Sequence, residues 1–169
     1  MNTAEVIQLA RTLGEQLAGQ GEMLSCAESC TGGLLAAALT ETPGSSRWFD
    51  RGVVSYSNEA KQTLLSVHDE TLERYGAVSE ETAMEMAAGV LAGAPRSQFA
   101  ISTTGIAGPD GATPGKPVGM VCFGFATRTG QGLSVRAETR VFPGDRQAVR
   151  AAAVAFALST ALELFSTAD

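Results

Sequence analysis

Apolar residues at Val6, Ile7, Leu9, Ala10, Leu13 and Leu17 recur every three or four positions, which predicts an amphipathic helix over about residues 3–20, closed by Gly19 and Gly21. A short strand follows at Met23–Glu28, and Thr31-Gly32-Gly33 turns the chain into an Ala/Leu-rich helix reaching about Glu41. Pro43-Gly44-Ser45-Ser46 breaks that helix, because Pro43 disfavours helical geometry at Thr42 and Gly44 permits a sharp turn. Arg51–Tyr56 alternates and is β-branched, hence a strand. Ser57 or Asn58 can cap a helix over Glu59–Ser66, and Ser79, with Glu80 and Glu81 in the first turn, opens another to about Ala94. Phe99–Thr103 reads as a buried strand, Val118–Thr127 and Leu133–Phe142 as a β-hairpin, and Gly144-Asp145 starts a last helix through about Phe165.

The resulting order, α-β-α-β-α-α-β-β-β-α, predicts an α/β protein: a three-layer α/β/α sandwich whose mixed sheet includes the C-terminal hairpin. With no repeat or linker, residues 1–169 read as one domain.

Composition narrows the class. Hydrophobic residues make up 44% and charged residues 18%, which excludes a disordered chain. Twelve Lys+Arg against 18 Asp+Glu give a net charge of −6 without a basic cluster, which argues against a nucleic-acid partner. No apolar run approaches the ~20 residues needed to span a bilayer, and Glu5, Arg11 and Glu15 interrupt the first twenty residues, so a cytoplasmic location with no membrane partner is expected. Cys26, Cys30 and Cys122 form neither an even framework nor a CxxC pair, so neither disulfide nor metal is expected. With one His, two Lys and two Tyr in the chain, acid–base chemistry falls to Lys, Tyr or carboxylates.

Three Gly-bearing turns are read as following strands: Glu28-Ser29-Cys30-Thr31-Gly32-Gly33, Pro43-Gly44-Ser45-Ser46 and Thr103-Thr104-Gly105-Ile106-Ala107-Gly108-Pro109. In α/β sheets such loops converge on a ligand crevice, and a helix opening at Gly32-Gly33 offers backbone N–H groups to a phosphate or carboxylate. Residues 105–117 hold four Gly and three Pro, a long loop of the kind that usually carries function. Ser45/Ser46, Tyr56 and Lys61 form the sharper constellation: a serine can act as a nucleophile without histidine when a neutral lysine takes its proton, with a tyrosine hydroxyl assisting. Spacing alone leaves open a plain structural role for all of them, as turn serine, packed tyrosine and solvated lysine.

The stretches Ala27-Glu28-Ser29-Cys30-Thr31-Gly32-Gly33, Pro43-Gly44-Ser45-Ser46, Gly52–Lys61, Gly76-Ala77-Val78-Ser79 and Thr104–Gly111, taken together, resemble the CinA C-terminal domain family. The resemblance spans nearly the whole chain. It implies hydrolysis of the carboxamide of nicotinamide mononucleotide without a cofactor, by an enzyme that is homodimeric. Carried over by position, it implies Ser46 as nucleophile, Lys61 as general base and Tyr56 assisting, with Ser29, Thr31, Gly32, Gly33, Thr104, Gly105 and Gly108 against the substrate. Arg146 is the candidate for the phosphate or for a partner subunit. Two other readings compete with this one: a nucleotide-binding module without catalysis, and a cysteine amidase built on Cys30 with His68. Trp48 and Phe49 are expected to serve the core.

Overall fold

The structure is a computed structural model that describes residues 1–166. Helices are α1 (Thr3–Gly19), α2 (Leu34–Thr40), α3 (Asn58–Leu65), α4 (Asp69–Tyr75), α5 (Glu80–Ala92) and α6 (Arg146–Ser166). Strands are β1 (Leu24–Glu28), β2 (Phe49–Val54), β3 (Phe99–Gly105), β4 (Met120–Thr129) and β5 (Gly132–Val141), and a single 3-10 turn covers Ser45–Arg47. The sheet order is β2-β1-β3-β4-β5. β1 runs parallel to β2 and β3, whereas β4 and β5 are antiparallel additions, so the sheet is mixed as expected.

Each face of the sheet has its own apolar layer. On one side α1, α2 and α6 bury Leu13, Leu17, Leu35, Leu39, Ala157 and Phe165 against Phe99, Ile101, Phe123 and Phe125. On the other, Leu65, Met86, Ala87 and Leu91 from α3 and α5 cover Ala27, Ala100 and Ala126. Trp48, fully buried, belongs to the first layer; its indole donates to the Leu39 carbonyl at 3.2 Å and lies so close to α1 that a Cβ on Gly14 would come within 2.3 Å of it. The expectation that Trp48 anchors the core therefore holds.

Three differences from the sequence reading have local causes. β2 starts at Phe49, drawn into the ladder by pairing with Leu24, and ends before Ser55, whose N–H gives β1 a last bond at the Glu28 carbonyl. α4 was not expected: seven residues are too few for a helical period to emerge, and its only traces are Asp69 and Glu70 in the first turn and Gly76 after the last. Finally, α6 from Arg146 to Phe165 is long and apolar enough to cross a membrane by length and composition, which corrects the expectation that no segment comes near that limit. Here one face of it, with Val149, Ala153, Ala157, Leu158 and Ala161, is buried in the core.

Candidate active site

β1 lies between β2 and β3: the chain passes from β1 to β2 through α2 on one face and from β2 to β3 through α3, α4 and α5, of which α3 and α5 cover the other. The carboxyl ends of these three strands therefore open into the crevice where such sheets bind ligands. Ser29 follows β1, Tyr56 follows β2, and Thr104 and Gly105 end β3.

The turn after β1 is fixed by a buried carboxylate. Glu28, 1% exposed, accepts the N–H groups of Leu35 and Ala36 at 2.9 and 3.0 Å and the Thr31 hydroxyl at 2.5 Å. Thr31 has one hydroxyl proton and gives it to Glu28, so the 2.7 Å contact with Thr103 is a bond donated by Thr103. Gly33, at φ +103°, makes the left-handed step that starts α2. These bonds bear on the expected anion site at Gly32-Gly33: the Leu34 amide that opens α2 donates to the Thr31 carbonyl, those of Leu35 and Ala36 are taken by Glu28, and Thr31 is locked in the network beneath the turn. That position is capped from within, and Gly32 and Gly33 do not line the cleft.

Above this turn lies the amine of Lys61. Ser57 caps α3 by accepting the Ala60 N–H, and Lys61 one residue later points inward, 1% exposed. Its Nζ lies 2.9 Å from Ser29 Oγ and 3.0 Å from each of the Ser55 and Tyr56 carbonyls. Burial lowers its pKa from 10.5 to about 8. A neutral amine has two N–H bonds and one lone pair. With both N–H groups spent on the two carbonyls, the lone pair is left for Ser29.

Thr104, also buried, donates to the Ala77 carbonyl at 2.7 Å and so holds the 76–79 turn against β3. Tyr56 and Arg146 form the rim. The Arg146 guanidinium donates to the Gly108 carbonyl at 2.9 Å and to the Tyr56 hydroxyl at 3.1 Å, leaving the phenolic proton available. Ser29, Tyr56, Lys61, Thr104, Gly105, Gly108 and Arg146 thus line one cleft of about 260 Å³. A second hollow of about 650 Å³ adjoins it, sharing Ala107 and Arg146 and bounded by Gln147 and Arg150.

Ser46 is not in this cleft. It sits exposed in the 3-10 turn that precedes β2, at the amino end of the strand whose carboxyl end carries Tyr56. A six-residue strand lies between Ser46 and the Lys61 amine, about 20 Å at ~3.3 Å per residue, so the expected Ser46–Lys61 pairing is corrected to Ser29–Lys61. Tyr56 reaches Lys61 through its carbonyl, while its half-exposed ring points to the mouth. Cys30 is buried, and desolvation pushes its thiol up to about 12, which removes the thiolate a cysteine amidase requires. His68 is exposed and bonded to Glu85 on the far side of α3. Arg150, absent from the sequence reading, donates to the Cys30 and Thr31 carbonyls at 3.0 and 3.2 Å. The spacing from Arg146 to Arg150 is one helical turn, the signal that would have found it.

Known proteins match this chain along nearly its whole length. The model of the CinA C-terminal domain matches residues 6–165. The nicotinamide-nucleotide amidohydrolase PncC of Enterobacter agglomerans is 51% identical over 165 residues, 98% of each chain. That of Escherichia coli K12 is 48% identical over the same coverage. Among solved structures, the competence damage-inducible protein A of Klebsiella pneumoniae superposes with a TM-score of 0.91 at 38% identity, covering 97% of this chain and 99% of that one. The chain therefore belongs to the CinA C-terminal domain family.

Proposed function

We propose that this chain is an amidohydrolase that converts nicotinamide mononucleotide to nicotinate mononucleotide and ammonia, with Ser29 as nucleophile and Lys61 as general base. The substrate class is supported by the two full-length relatives named for it. The residue roles rest on one observation: the Lys61 amine, oriented by two carbonyls, faces Ser29 Oγ at 2.9 Å in a buried pocket.

In this scheme the Ser29 proton passes to Lys61 Nζ as Oγ bonds to the carboxamide carbon and the carbonyl π pair moves to oxygen. The oxyanion is met by the backbone N–H of Cys30, which lines the cleft and whose amide donates to no other residue among those described. Collapse breaks the C–N bond, and Lys61 returns its proton to the departing nitrogen, which leaves as ammonia. Water, deprotonated by the same amine, then releases the acid from the Ser29 ester. The pyridine ring occupies the smaller hollow, while Arg146, at its junction with the larger one, attracts the phosphate. The Tyr56 hydroxyl, held by Arg146, orients the ribose or the leaving amide. The family likeness further supports one amidase domain over residues 1–169, cytoplasmic and homodimeric.

The test is direct. Incubation with nicotinamide mononucleotide should release equimolar ammonia and nicotinate mononucleotide, and Ser29→Ala should stop it without unfolding the protein. Binding without turnover by the unaltered protein would instead identify a nucleotide-binding module.

A further inference from the structure

Two guanidinium groups project from the first two turns of α6, and they do different things. Arg146 spans the mouth, whereas Arg150, half-buried, reaches the back of the nucleophile turn and donates Nε to the Cys30 carbonyl and Nη2 to the Thr31 carbonyl. No carboxylate pairs with Arg150 among the described residues, so its charge is spent on the 30–31 and 31–32 peptide groups that follow Ser29. The fit is close: a Cβ on Gly32 would lie 3.2 Å from Nη2.

A trans peptide carries its C=O and N–H on opposite sides. Where Arg150 draws the Cys30 oxygen toward α6, the N–H of Thr31, in the same peptide plane, is turned the other way and kept from flipping. The remaining carbonyl of the turn, that of Ser29, accepts the Gly32 N–H at 3.0 Å. Glu28 holds the far end of the turn through Thr31, Leu35 and Ala36. The turn is thus held by a carboxylate at the Thr31 hydroxyl and the α2 amides and by a cation at its carbonyls.

Resting on the amidase reading above, we infer that Arg150 is a positioning residue: by holding the 30–31 and 31–32 peptides it fixes the nucleophile turn, so that the Cys30 N–H, at the cleft, meets the oxyanion formed at Ser29. The Gly32 N–H, in the peptide plane whose Thr31 carbonyl Arg150 holds, donates to the Ser29 carbonyl and so sets the 29–30 plane that carries the Cys30 N–H. Such a residue affects the transition state more than the bound substrate.

The experiment compares wild type with Arg150→Ala and Arg150→Lys in two assays: turnover of nicotinamide mononucleotide, and the rate at which a fluorophosphonate probe modifies Ser29. The expected result for Arg150→Ala is a kcat lower by ~10²-fold with KM changed less than about threefold, equally slowed probe labelling, and partial recovery of both in millimolar guanidinium. Arg150→Lys, which keeps the charge but loses the two-pronged grip, should fall between. Wild-type kcat and labelling in a folded Arg150→Ala protein would overturn the inference, as would a loss confined to KM. If Arg150→Ala does not fold, Arg150→Lys decides: a kcat and labelling rate equal to wild type would overturn it. Should wild type leave nicotinamide mononucleotide untouched, the amidase reading fails, while the labelling rates still judge Arg150.

Discussion

Ser29 and Ser46 both stand in Gly-bearing turns next to a strand of the parallel part of the sheet, yet they occupy unlike surroundings. Ser29 lies beyond the carboxyl end of β1, buried, with an amine 2.9 Å from its oxygen. Ser46 lies before the amino end of β2, exposed, its hydroxyl without a hydrogen-bond partner among the described residues. What separates them is strand polarity. The carboxyl ends of β1, β2 and β3 all reach the same edge, so the loops leaving them can share a base, a rim arginine and a cleft, while the amino edge closes over core side chains such as Trp48.

The strongest way to break that contrast is to exchange roles by mutation. Ser29→Ala should lower ammonia release at least ~10³-fold, and the same substitution at Ser46 should leave kcat within a factor of two; the reverse outcome would restore Ser46 as nucleophile. Lys61→Arg should be as inactive as Ser29→Ala, because a guanidinium remains protonated and has no lone pair to offer. pH sharpens the same point. With the amine at about 8 and activity requiring the neutral form, kcat/KM should rise about tenfold per unit below that value and level off above it. About one molecule in ten is then competent at pH 7, against roughly one in 3,000 for an ordinary lysine. A profile flat from pH 6 to 9 would exclude Lys61 as base.

Smaller effects probe the supports. Arg146→Ala should raise KM for the phosphorylated substrate by about tenfold while sparing turnover of the riboside, a difference read by comparing the two substrates. Glu28→Gln keeps the shape but loses an acceptor among three bonds, and should cost about 2 kcal/mol, seen as a melting temperature lower by several degrees. Ser46→Ala should shift stability by no more than ~0.5 kcal/mol.

Much of this was readable before any coordinates. The three- and four-residue spacing of α1, the β-branched run of β2 and the turn residues of the hairpin announced the layers. Lys61, Tyr56, Thr104, Gly105 and Arg146 were in view as site residues, and Ser29 as a substrate contact. The partner of Lys61 was not, because pairing across 32 residues depends on strand order, which periodicity does not encode. Nor could spacing show that the amides of α2 are consumed by Glu28: the bond spans seven residues and exists only because β1 and α2 meet at a left-handed glycine. Arg150 escaped for a similar reason, since its acceptors are main-chain oxygens 119 and 120 residues away.

The two acceptors that orient Lys61 belong to the peptide groups of Ser55 and Tyr56. No single codon change at either position can delete a main-chain oxygen, so the alignment of the base is inherited from the path of the chain. Drift can rewrite the side chains there, and Tyr56→Phe keeps both acceptors. Losing the alignment would take a shift of the backbone between β2 and α3.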